Sequence, residues 1–135
     1  MDNQGYWDIY KNINIPLPKN STIPHNQLDA HCQQILRHIN LFSTDLPKDH
    51  IETARYTYYA LYTYVNTNSS KVLKVLKNTG LDEDTIIVFT GDHGDILGER
   101  GLWYKMAWFE NSSRVPMLFH APKKFTPKRV SDLYG

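Results

Sequence analysis

The sequence predicts an α/β fold with an incomplete sheet, and three observations lead there. Apolar residues recur at helical spacing between residues 26 and 79, an apolar β-branched run occupies 85–90, and a second apolar run occupies 115–120. Helices followed by apolar strands stack as layers around a core. Two strands alone are marginal in water, and a run as apolar as Ile86, Ile87, Val88 and Phe89 requires neighbours on both edges. The chain is therefore expected to supply part of a larger sheet.

Residues 1–24 place Pro16, Pro18 and Pro24 between isolated apolar residues. Proline fixes φ and removes a donor, so an extended, surface-hugging arm is expected there. Residues 25–80 are predicted helical. Leu28, Cys32, Ile35, Leu36 and Ile39 mark a first helix from Asn26 to about Leu41, followed by a turn around Asp45 and Pro47. A longer helix is expected over 49–79, capped by Asp49, with Glu52 reaching back from three residues on. Ile51, Ala54, Tyr58, Leu61 and Val65 form its apolar stripe, and Asn68, Val72 and Val75 carry the phase on until Gly80 stops it. Asn66 to Ser70 is the weakest stretch, because those side chains compete for backbone hydrogen bonds. Lys71, Lys74 and Lys77 belong to a solvated face. Residues 81–135 read as strand, loop and strand: Thr85–Thr90, then Val115–His120, then a basic tail with Lys123, Lys124, Lys128 and Arg129.

Composition narrows the function. A formal charge of +1 on 135 residues offers no basic face for nucleic acid or an anionic membrane. No apolar run reaches ~18 residues, so no transmembrane helix is expected. MDNQGYWDIY lacks the basic and apolar regions of a signal peptide, which favours the cytoplasm. Asn20, Asn68 and Asn111 open N-x-Ser/Thr sequons, which are taken as coincidental for the same reason. The single cysteine excludes an internal disulfide and any multi-cysteine zinc site. Cys32 falls on an apolar helical stripe, where cysteine acts as a small hydrophobe. No nucleophile elbow, Walker loop or HExxH helix occurs.

The chemistry concentrates in TIIVFTGDHGDILGERGLWYK, residues 85–105. An apolar strand there ends abruptly in Gly91, Asp92, His93, Gly94 and Asp95, so two metal-ligating side chains arrive together at its carboxyl end. Gly91 and Gly94 let the backbone turn sharply and let a ligand come close. A carboxylate suits Ca²⁺, Mg²⁺ or Mn²⁺, and an imidazole widens the choice towards Mn²⁺ or Zn²⁺. Two ligands do not complete a site; Asp95 is a candidate third, but bracing the loop is the better role for it. Thirteen residues after Asp92, a loop containing Gly98 and Gly101 brings Lys105 within reach of an anion on the metal. Glu99 and Arg100 are expected to make local loop contacts, and Arg114 to pair with a carboxylate. Metal, anion and lysine together suggest hydrolysis of a sulfate or phosphate ester.

At these residues the chain resembles the sulfatases of the alkaline phosphatase superfamily, and among them the choline sulfatases. GDHGDILGERGLWYKMAWFENSSRVPMLFHAP, residues 91–122, is similar to the family's second metal-binding segment and the strand after it. Weaker likeness continues upstream through Tyr6 to Tyr10, Asp29 to His31, Ala54 to Val65, and Gly80 and Leu81. The resemblance implies partial alkaline-phosphatase-like layers of sheet and helix. It implies a formylglycine nucleophile, a divalent cation (calcium, or manganese in some relatives) and a sulfate ester substrate such as choline sulfate. Asp92 and His93 inherit the role of metal ligands, and Lys105 that of the catalytic lysine on the sulfate. The chain also departs from the family: no C-x-P-S-R motif occurs, and Asn66 and Thr67 stand where relatives usually carry acids. Residues 1–135 are therefore expected to be an internal fragment of a sulfatase catalytic domain, inactive alone. Its partners would be the missing sulfatase segments or a second copy. A phosphonate or phosphodiester hydrolase of the same superfamily, or a non-catalytic truncated relic, are the rival expectations.

Overall fold

The computed structural model describes residues 3–20, 22–42 and 45–131. The arm expected to be extended instead opens with a short helix, α1 (Asn3–Asp8). Its cause is aromatic: rings three and four residues apart face the long helix α3 (Lys48–Asn78). Tyr6 meets Tyr64 edge-on at 5.5 Å, Trp7 meets Tyr56 at 6.2 Å and Tyr10 meets Tyr59 at 5.7 Å. The Tyr10 and Thr63 hydroxyls lie 2.5 Å apart, and Tyr56 donates to the Ile13 carbonyl at 2.6 Å. Beyond residue 14 the prolines prevail, and the described arm has no helix or strand before a single helical turn at His25–Gln27.

Helix α2 (Ala30–His38) starts later than its apolar spacing suggests, because Asp29 caps it. The Asp29 carboxylate accepts from the amides of His31 and Cys32, each at 3.0 Å. Helix α3 runs unbroken for 31 residues, about 46 Å. The Asn66–Ser70 stretch stays helical, with the Thr67 hydroxyl turned back onto the Thr63 carbonyl at 2.9 Å. Asp49 is not the cap. Pro47 holds that position at φ −55° without a side-chain bond, so Asp49 falls inside the first turn. Glu52 pairs with Lys48 at 3.5 Å rather than reaching back to Asp49. Gly80 ends the helix as expected, at φ +71°.

Strand β1 (Ile87–Thr90) pairs antiparallel with β4 (Met117–His120), Ile87 opposite His120 and Thr90 opposite Met117. A second ladder joins β2 (Ile96–Leu97) to β3 (Trp103–Tyr104). The strand expected to be buried is open: Val88, Phe89, Leu118 and Phe119 are exposed, since among the described residues β1 and β4 have only each other. The far half of the α3 stripe is bare too, with Leu61, Val65, Val72 and Val75 exposed. The core lies elsewhere, between α2 and residues 96–107. Leu28, Cys32 and Leu36 pack there against Ile96, Leu102 and Ala107. Among the described residues no helix is long and apolar enough to cross a membrane.

Candidate metal and anion site

The loop after β1 brings Asp92 and His93 to the point that Lys105 reaches from the end of β3. The His93 ring Nδ1 lies 2.9 Å from the Gly94 carbonyl oxygen. A carbonyl only accepts, so Nδ1 carries the proton and the Nε2 lone pair faces outward. Asp92 Oδ2 stands 3.4 Å from that Nε2, and the Lys105 ammonium donates to it at 2.7 Å. The other Asp92 oxygen accepts the His93 amide at 3.0 Å, which fixes the carboxylate beside the ring. His93 is 30% exposed and Asp92 86%, so the point is open to solvent on the aspartate side.

Each member is held by its own support. Gly94 donates to the Ser112 carbonyl at 2.7 Å, tying the loop to the short helix α4 (Glu110–Ser113). Lys105 follows β3 directly and sits between two residues with left-handed φ, Tyr104 at +67° and Met106 at +73°. Such backbone costs of order 1–2 kcal/mol for a residue other than glycine and persists only where neighbours enforce it. The β2–β3 ladder enforces Tyr104, opposite Ile96. The His31 ring, on α2, meets Met106: its Nε2 lies 2.6 Å from the Met106 carbonyl oxygen.

The bend between β2 and β3 explains Gly98 and Gly101, at φ +91° and +76°. A methyl group on Gly101 would come within 2.7 Å of the Thr22 side chain, so the arm and loop share that space. Glu99 is not a local contact. Its carboxylate reaches the arm, accepting from the amides of Lys19 and Asn20 at 3.0 and 2.9 Å and from the Asn20 side chain at 2.9 Å. Burial raises its carboxyl, but those donors and the Arg55 charge outweigh it and hold the group below the usual glutamate range. Arg100 stacks over the Phe109 ring at 4.5 Å, and Arg114 pairs with Glu110 at 3.6 Å.

Asp95 braces the loop. It hydrogen-bonds the Tyr58 phenol on α3, which is pushed up first by burial and then by the Asp95 charge and hydrogen bond. Cys32 is buried and its thiol is pushed up to about 11, by burial and then by Asp29, which suits packing rather than nucleophilic work. Two supports escaped the sequence. Arg55 is buried and donates to the Leu97 carbonyl at 2.7 Å; its position between Ile51 and Tyr58 on the apolar stripe was the signal. His31 reaches across 75 residues of sequence, and no local pattern announces it.

A divalent cation fits the donor set in part. Asp92 offers a hard oxygen, and the Nδ1 bond leaves His93 Nε2 unprotonated, the form a metal takes; its one lone pair now accepts from Lys105, so a cation binding there would displace that ammonium. Among the described residues no group of three or more such side chains assembles, so further donors would be needed to complete a site around these two.

Comparisons with known proteins converge. The family model described as Sulfatase matches residues 4–135. The chain is 35% identical over 117 residues to the choline-sulfatase of Rhizobium meliloti (strain 1021), covering 87% of this chain and 23% of that protein. It is 38% identical over 82 residues to the iduronate 2-sulfatase of Mus musculus, covering 61% of this chain and 15% of that one. Among solved structures it superposes on the phosphonate monoester hydrolase from Silicibacter pomeroyi with a TM-score of 0.70 and 30% identity, over 87% of this chain and 25% of that chain. The chain thus spans less than a quarter of the length of these two curated relatives.

Proposed function

Because this chain belongs to the sulfatase family, we propose that it supplies part of the active site of a sulfuric ester hydrolase acting on choline sulfate or a close relative. Asp92 and His93 would hold the divalent cation, calcium ahead of manganese, and Lys105 would meet the sulfate. The observation that carries this is the convergence of the Asp92 carboxylate and the Lys105 ammonium on the His93 Nε2 atom, at 3.4 and 2.7 Å. A bound cation would supply Lewis acidity and orient the anion. With a cation on Nε2, the displaced Lys105 ammonium would donate to an anion held there and stabilise charge where it develops on the departing oxygen. The sequence holds no C-x-P-S-R run, so the formylglycine would come from polypeptide outside these 135 residues, and the chain alone would be inactive. The missing sulfatase segments are the partner that suits the bare sheet and the bare half of α3.

The likeness to a phosphonate monoester hydrolase favours one second reading, hydrolysis of a phosphonate or phosphodiester at the same site. A chimera decides between them. Residues of this chain replace the matching segment of the Rhizobium meliloti choline-sulfatase, and choline sulfate and a phenylphosphonate monoester are assayed side by side. Turnover of choline sulfate is expected. Turnover of the phosphonate alone would move the assignment to the second reading, and a folded chimera inert to both would overturn both.

A further inference from the structure

The Lys105 ammonium owes its place to a residue that no site motif contains. Lys105 projects from a backbone whose two neighbours, Tyr104 and Met106, both hold left-handed φ. These residues are 62% and 70% exposed, so packing does not fix this turn from outside. Two contacts do. Tyr104 is registered opposite Ile96, itself buried, and the Met106 carbonyl meets the His31 ring at 2.6 Å. His31 in turn is anchored from both sides: its amide bonds the Asp29 cap, and the next residue, Cys32, sits in the core with Leu36. We propose that His31 is a positioning residue. Its Nε2–H donates to the Met106 carbonyl, locks the turn 104–106, and thereby aims the Lys105 ammonium at His93.

The chemistry gives the two histidines opposite tautomers. A carbonyl accepts and cannot donate, so His31 must carry its proton on Nε2, whereas His93 carries its proton on Nδ1, against the Gly94 carbonyl. A glutamine at position 31 retains an N–H at the end of its side chain. A leucine fills similar space with none. The inference rests on the sulfatase assignment only for what Lys105 does once aimed; the aiming is a property of this chain.

The test uses the whole 135-residue chain and reads Lys105 directly, by competitive acylation of its lysines and mass spectrometry. Lys105 is expected to react more slowly than Lys74 in the native chain. In His31→Leu its rate should rise about fivefold, the ratio that one hydrogen bond of ordinary strength sustains. His31→Gln should restore the native rate. Rates at Lys48 and Lys71, remote from the turn, should stay constant and so report an intact fold. An unchanged Lys105 rate in a folded His31→Leu chain would overturn the proposal, as would a His31→Gln chain that behaves like His31→Leu. If His31→Leu does not fold, the ring itself decides in the unaltered chain. Long-range ¹H–¹⁵N correlation should show His31 protonated on Nε2, and an Nδ1–H tautomer would overturn the assignment. Failure of the chimera to hydrolyse any ester would refute the sulfatase assignment while leaving these rates as they are.

Discussion

A methyl group at Gly94 is the smallest change that should dismantle the site. It would stand 2.1 Å from the Asn111 carbonyl oxygen, 3.1 Å from the Asn111 carbonyl carbon and 3.3 Å from the Arg114 carbonyl oxygen. Carbon and oxygen normally approach to about 3.3 Å, so the loop and α4 must part by roughly 1 Å. All three atoms are backbone, and no rotamer absorbs the overlap. The separation also breaks the Gly94 amide bond to the Ser112 carbonyl, 2.7 Å long and beside a buried serine. Overpacking of about 1–3 kcal/mol and a lost hydrogen bond of about 0.5–1.5 kcal/mol together give roughly 2–4 kcal/mol. For a chain of this size that is a melting midpoint lower by about 6–12 °C. Gly91→Ala is the control, since a methyl there meets nothing closer than 3.5 Å. Thermal melts of both variants, with Lys105 acylation as a local probe, are the assay. Gly94→Ala melting within about 2 °C of the native chain, with Lys105 still protected, would refute the reasoning.

Three further outcomes are expected. The purified chain should not turn over p-nitrophenyl sulfate or choline sulfate with added Ca²⁺ or Mn²⁺, because groups that act as a unit lose nearly everything when some are missing; metal-dependent turnover that survives Cys32→Ala would contradict this. The bare faces of β1, β4 and α3 should make the chain self-associate and bind apolar dyes, whereas a monodisperse monomer with a sharp melt and no dye binding would show a complete domain. Glu99 should contribute to acid unfolding. Its folded carboxyl titrates below the ordinary value of 4.5, so its stabilisation is present above that pH and fades as pH falls through the folded value. Glu99→Gln should flatten that part of the stability–pH curve, and an unchanged curve would place the acid sensitivity elsewhere.

How much of this was legible in the sequence depends on the range of each interaction. Local signals served well. Gly80 stops α3, Cys32 lies on the buried face of α2, and Asp95 braces its loop against Tyr58. The incomplete sheet was legible too, because a run as apolar as residues 86–89 wants a neighbour on both edges and the sequence offers only one other such strand. Capping failed at Asp49, where Pro47 took the position first. Long-range partners could not be read. Glu99 looks like a loop charge until the arm lies across it, 79 and 80 residues away in sequence. The rings of Tyr6, Trp7 and Tyr10 have no partner until α3 presents Tyr64, Tyr56 and Tyr59. Gly91 and Gly94 look alike in sequence, yet only the second is closed in by Asn111 and Arg114.

The central claim is that His93, through Nε2, and Asp92 bind one divalent cation beside Lys105. Pulsed electron paramagnetic resonance of Mn²⁺ added to the ¹⁵N-histidine-labelled chain tests it without any need for turnover. Of the six histidines in the sequence, one should couple to the metal. That coupling should vanish in His93→Gln, persist in His31→Gln, and require more Mn²⁺ to appear in Asp92→Asn. Coupling that survives His93→Gln, or a bound Mn²⁺ that senses no histidine, would contradict the account.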